Sequence, residues 1–154
     1  MKIRIEFDEN LIEDEIVLRC RDLNDDIQNI QRILMNLNKS DSKMVFYKDD
    51  KEYYISLKEI LFFETEGGDI LAHTIHDIFK VKYRLYELEN VLPGYYMRAS
   101  KSTILNVNQV YSVSYNIASS SLVEFYKTHK QVYVSQSFYK ALRHKLNERR
   151  TYEN

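Results

Sequence analysis

Between residues 43 and 134 the apolar residues come in short runs, many spaced at every second position, and polar turns separate the runs. Strand side chains alternate between two faces, so runs of this kind fit short strands. Connections this brief join strands antiparallel, since a parallel pair needs a crossover of a dozen or more residues. Strands are expected over residues 43–47, 52–55, 60–64, 70–74, 77–81, 97–107, 110–115, 122–126 and 131–134. Lys48-Asp49-Asp50-Lys51 and Gly67-Gly68 read as hairpin turns, and Leu57-Lys58-Glu59-Ile60 as one helical turn.

Helical spacing is convincing in three places. Ile27, Ile30, Leu34 and Leu37 form one stripe after Asn24-Asp25-Asp26, which offers a cap and an acidic first turn. Leu85, Leu88 and Leu92 form a second stripe over residues 83–92, stopped by Pro93-Gly94. Phe138, Leu142 and Leu146 form a third, from residue 135 or 136 to residue 148. Upstream, residues 2–7 alternate, with Ile3, Ile5 and Phe7 on one face, and residues 15–20 make a second candidate strand. The chain is therefore expected to divide into a β-β-α unit over residues 1–42 and a mainly β domain over residues 43–150. The polar run 38–42 joins them.

A 154-residue chain suits one domain with a short appendage. Its 13 Tyr and 7 Phe against 3 Gly and 1 Pro give an ordered chain with a substantial core. The apolar runs are too short to span a membrane, so no membrane insertion is expected. The first residues carry no signal-peptide core. A single cysteine, Cys20, forms no internal disulfide and fits a reducing cytoplasm, where it is expected to be buried.

The formal net charge of −1 conceals a division. Residues 1–79 hold 10 Lys/Arg against 18 Asp/Glu, a net of −8, and residues 80–150 hold 12 against 4, a net of +8. A basic half can neutralise phosphates and release their counterions. Catalysis has no comparable support. A glycine-rich phosphate loop with its lysine is missing, as is a Gly-x-Ser-x-Gly elbow. His73 and His76 would point to opposite faces of a strand, and Glu64 and Glu66 have no nucleophile or base beside them. Neither enzyme activity, nor a metal, nor a cofactor is expected.

The most informative stretch is 98–110, Arg-Ala-Ser-Lys-Ser-Thr-Ile-Leu-Asn-Val-Asn-Gln-Val. A polar, basic tip of Arg98, Ser100, Lys101 and Ser102 runs into the apolar Thr103–Leu105, closed by Asn106 and Asn108. Such a tip can offer hydrogen bonds and one or two positive charges to a phosphate or a base edge. Together with the opening Tyr53–Thr65, Glu66-Gly67-Gly68-Asp69, and the closing Val132-Tyr133-Val134-Ser135-Gln136-Ser137-Phe138-Tyr139, the chain resembles the LytTR-type DNA-binding domain of bacterial transcription regulators. The resemblance covers roughly residues 44–147.

That resemblance implies a mainly β fold, α+β overall, built as an antiparallel DNA-binding sheet domain with short helices. It also implies a sequence-specific transcription regulator that reads duplex DNA with loops and the start of the last helix. The residues that carry this over are Gly68 and Asp69 in one loop, Arg98, Ser100, Lys101 and Ser102 at the tip, and Gln136 and Ser137 at the helix start. Lys140, Arg143 and Lys145 follow one turn later, placed for phosphates. Two departures stand out. Relatives commonly carry a polar or basic side chain where this chain has Gly68 and Asp69, and Asp69 would repel phosphate. They commonly carry arginine near Gln136 or Ser137, where the Gln136 amide can pair with adenine instead.

A second reading follows from those departures: an interaction module that keeps the fold but binds a partner regulator rather than DNA. Residues 1–42 are too few for the phosphorylated receiver domain that often precedes such domains, so a stand-alone regulator is expected. Its partners would be duplex DNA, a second copy through residues 1–37, and a regulatory protein. The operator, the regulated genes and the sign of regulation are not written in the residues.

Overall fold

The computed structural model describes residues 2, 4–12, 15–39, 43–116 and 118–152. The strand-forming part obeys the expected pattern. Helix α1 (Asp25–Lys39) precedes β1 (Lys43–Lys48), β2 (Lys51–Ser56), β3 (Phe62–Glu66), β4 (Asp69–His73) and β5 (Ile78–Val81). Then come α2 (Leu85–Val91), β6 (Tyr96–Ser100), β7 (Thr103–Asn106), β8 (Val110–Ser114), β9 (Ser121–Phe125), β10 (Gln131–Val134) and α3 (Gln136–Tyr152). Single 3₁₀ turns occupy Leu57–Glu59 and Val107–Gln109.

Seven strands form one antiparallel sheet in the order β2-β1-β5-β4-β3-β7-β6, and three form a second in the order β10-β9-β8. Alternation along the central strands divides the core in two. Phe63, Ile104 and Tyr96 face a cluster closed by Leu85 and Leu88 of α2. Their neighbours Phe62, Leu105 and Met97 face a second cluster filled by Val123, Phe125 and Val134 of the smaller sheet and Leu142 of α3. All four residues of β7 are therefore buried, as a strand covered on both faces requires.

Asn106 ends this strand and is itself buried. Its Nδ2 donates to the Ile60 carbonyl at 3.0 Å, and its Oδ1 accepts from the Asn108 N–H at 3.0 Å. The paired asparagines thus make a cap for the 3₁₀ turn and a tie to the chain before β3. A buried polar group with both ends satisfied fixes one arrangement of its surroundings.

The structure corrects the expectation of a single strand over residues 97–107. The chain instead turns at Lys101-Ser102, and β6 and β7 pair as a hairpin, with a bulge between Arg98 and Ser100. The turn has neither Gly nor Pro; Ser100 Oγ closes it by accepting from the Ser102 N–H at 3.2 Å. Side chains that bond to nearby backbone mark turns more weakly than Gly or Pro do.

In the N-terminal segment the helix forms where its cap predicts, with Asn24 Oδ1 accepting from the Ile27 N–H at 3.0 Å. Ile27, Ile30 and Leu34 are the half-buried face of α1. The fourth residue of that stripe, Leu37, lies outside the described side chains, and Ile3 and most of the 38–42 linker lie outside the described residues. Among the described residues, 4–8 and 15–20 are not paired into a sheet. Cys20 is exposed rather than buried, because this stretch has nothing packed over it.

Candidate nucleic-acid interface

The turn between β3 and β4 is a two-residue hairpin bend in which Glu66 pairs with Asp69. Gly67 and Gly68 have φ of 59° and 87°. Positive φ at both central residues matches the twist of the flanking strands, and glycine adopts it without strain. The Thr65 N–H donates to the Ser102 carbonyl at 2.9 Å. That bond, with the pairing of Glu64 against Thr103, holds the glycine turn beside the β6–β7 tip.

The start of α3 reaches the same edge. The Ser135 N–H donates to the Ala99 carbonyl at 2.9 Å, and Ser135 Oγ lies 3.1 Å from Ser137 Oγ. Gln136 and Ser137 are exposed. The glycine turn, the Lys101 tip and the first turn of α3, all singled out in the sequence, are brought together on neighbouring strands.

The charges are arranged differently from the sequence expectation. Arg98 is not a free cation: its guanidinium pairs with Glu89 of α2 and donates to the Lys101 carbonyl at 2.7 Å. It holds the tip rather than extending from it. Ser100 and Ser102 are turned to each other, their hydroxyls 3.3 Å apart. Lys101 stands exposed at the tip, and among the described residues its ammonium has no ion-pair partner. Asp69 is neutralised in part by Lys80, whose Nζ lies 2.7 Å from its carboxylate.

On α3, Gln136, Lys140 and Arg143 recur at helical spacing and are exposed. Lys145 is corrected: it turns inward, its ammonium donates to the Gly94 carbonyl, and burial lowers its pKa. Arg149 likewise donates to the carbonyls of Val107 and Val110 at 2.9 and 3.1 Å. Both lie on the side of α3 that buries Leu142.

Sequence reasoning missed Arg84 and Tyr86. Both are exposed, and with Thr65, Gly68, Asp69 and Lys101 they line a shallow cleft beside the tip. Arg84 precedes α2, and its N–H donates to Glu87 Oε2 at 2.8 Å. More than ten residues separate these groups from both loops in sequence, and only the packing of α2 against β3, β6 and β7 brings them near.

Known proteins resemble this chain in family profile, in whole-length sequence and in fold. The sequence profile of the LytTr DNA-binding domain matches residues 50–147. An HTH-type transcriptional regulator of Staphylococcus aureus strain MRSA252 is 31% identical over 148 residues, 96% of this chain and 99% of that protein. A counterpart from strain NCTC 8325 / PS 47 is 30% identical over the same shares. Among solved structures, the LytTr DNA-binding domain of a Bacillus cereus protein described as a methyl-accepting/DNA response regulator superposes with a TM-score of 0.63. The match has 24% identity and covers 68% of this chain and 96% of that one. In this chain strands separate each described helix from the next, so the consecutive helices of a helix-turn-helix are not what it presents.

Proposed function

The chain belongs to the LytTR family of DNA-binding domains, and on that footing we propose that it is a sequence-specific transcription regulator. It acts in the cytoplasm, by binding duplex DNA and not by catalysis, and needs no cofactor. The observation that carries the site is the convergence of the Gly67-Gly68 turn, the Lys101 tip and the first turn of α3 on one edge. Lys101 reads a base edge or meets a phosphate at the centre of that edge. Gln136 and Ser137 face a base at its margin, and Arg84, Lys140 and Arg143 meet phosphates around it. Gly68 contributes backbone only, and Arg98, Ser100 and Ser102 shape the tip.

Four exposed cations set the salt dependence. Each phosphate neutralised on duplex DNA contributes about −0.9 to the slope of log affinity against log salt. Binding isotherms from low to moderate salt are expected to give a slope near −4, on selected and scrambled duplexes alike. A flat profile would show that these side chains do not meet phosphate.

The bare Gly68, the Asp69–Lys80 pair and the inward Arg98 favour a second reading, in which the same edge binds a partner regulator. Absence of duplex binding even at low salt would select it.

A further inference from the structure

We propose that residues 2–8 are a self-complementary strand that pairs antiparallel with the same segment of a second copy, centred on Ile5. The stretch from Lys2 onward reads Lys-Ile-Arg-Ile-Glu-Phe-Asp. Turned about Ile5, it sets Lys2 opposite Asp8, Arg4 opposite Glu6, and Ile5 opposite its own counterpart. Every charged residue of the block then faces the opposite sign, and each such pair occurs twice. A two-fold contact requires this: one patch that complements itself. A register shifted by two residues, with Arg4 or Glu6 on the axis, sets that residue against its own like charge.

The structure supplies the other conditions. Arg4 Nε and Glu6 Oε1 are 2.8 Å apart, so both side chains already lie on one face, as residues two apart do in an extended chain. A second copy converts this lone pair into a network of four alternating charges. The opposite face is apolar and uncovered: Ile5 is 76% and Phe7 95% exposed. Asp8 closes the block, because its carboxylate accepts from both the N–H and the side-chain amide of Asn10 at 3.0 Å and turns the chain.

No described strand of this chain pairs with the segment, and among its described residues only the Asp8 carbonyl is engaged, by the Leu11 N–H at 3.3 Å. A two-stranded ribbon alone is marginal in water. Helix α1 supplies the cover, its half-buried Ile27, Ile30 and Leu34 being the nearest apolar stripe in sequence.

The proposal is independent of DNA binding, and its test contains no DNA. Sedimentation equilibrium of the full chain should give a concentration-dependent dimer. Arg4→Glu and Glu6→Arg should each weaken self-association about tenfold or more, since each converts two attractive cross-strand pairs into repulsive ones. Mixing the two variants restores opposite charges at both positions and should recover the dimer. With Cys20→Ser as background, Ile5→Cys should give a disulfide-linked dimer under mild oxidation, and Arg4→Cys should not, because only residue 5 faces its own copy. A chain that stays monomeric to about 100 μM, where weak but specific dimers are populated, overturns the proposal. So does a dimer indifferent to both charge reversals.

Discussion

Lys101→Glu is expected to weaken binding to a selected duplex about a hundredfold, roughly 3 kcal/mol. The side chain stands exposed at the end of the β6–β7 hairpin, so the change removes a cation from the centre of the edge and puts a repelling carboxylate there. Thermal stability should hold, because surface substitutions away from caps and networks rarely exceed half a kilocalorie per mole. Lys101→Ala separates the two roles. If Lys101 reads a base, it should cost about 1–3 kcal/mol on the selected site and little on scrambled DNA. If it meets phosphate, the loss should be alike on both. Arg98→Ala should mimic part of the loss without touching DNA, since it releases the Lys101 carbonyl and the Glu89 pair. Unchanged affinity for Lys101→Glu would remove the tip from the interface.

Stability should fall as pH falls from about 6.5 to 4, by up to about 3 kcal/mol, and His73 is the cause. This imidazole is 6% exposed, stacked on Phe62 at 4.2 Å between ring centroids, and neither ring nitrogen is hydrogen-bonded. Glu64 Oε1 approaches Nε2 to 2.7 Å without hydrogen-bonding alignment. Burial dominates and, with the positive charge of Lys130 nearby, pushes the pKa down from 6.5 to about 4, against a smaller upward pull from Glu66. Lys130 is itself held by the carbonyls of Thr74 and Asp77 at 2.7 and 3.0 Å.

The folded state therefore holds His73 neutral where the unfolded chain protonates it. The stabilising contribution is complete above the unfolded pKa and is lost as pH drops through the folded one. Burial raises the Glu64 carboxyl, which works in the opposite direction. The measurement is thus the difference between wild type and His73→Phe, which keeps the stacked ring. Relative to His73→Phe, the wild-type denaturant midpoint should drop as pH falls from about 6.5 to 4, and the difference between the two should be constant above about 6.5. Parallel curves would show that His73 titrates normally.

Much of this fold is legible before any coordinates, because its local signals agree. The Asp49-Asp50 and Gly67-Gly68 bends, the helical turn at Leu57 and the stop at Pro93-Gly94 are each stated by residues with one dominant conformational habit. The Lys101-Ser102 turn is not, since its closure depends on the Ser100 hydroxyl. The N-terminal runs are a separate case: alternation declares that a strand fits but not where its partner lies. At the site, exposed loop residues could be named in advance. The inward Arg98, Lys145 and Arg149 could not, because a long basic side chain can reach a carbonyl or water from the same backbone position. His73 gave no warning either, since its burial follows from stacking on Phe62, which itself stacks on Phe125 of the smaller sheet.

The glycine turn has an evolutionary consequence. A β-carbon added at Gly67 or Gly68 would meet nothing within 4 Å, so the bend is constrained by backbone angle alone. At Gly67 that angle, 59°, is one that asparagine tolerates. An ancestor or descendant of this chain can therefore acquire a side chain at the edge of the groove in one step, with the two cores undisturbed. Operator preference can drift at Gly67 through asparagine, at the cost of the strain a side chain meets at positive φ, while Gly68, at 87°, holds the bend to glycine.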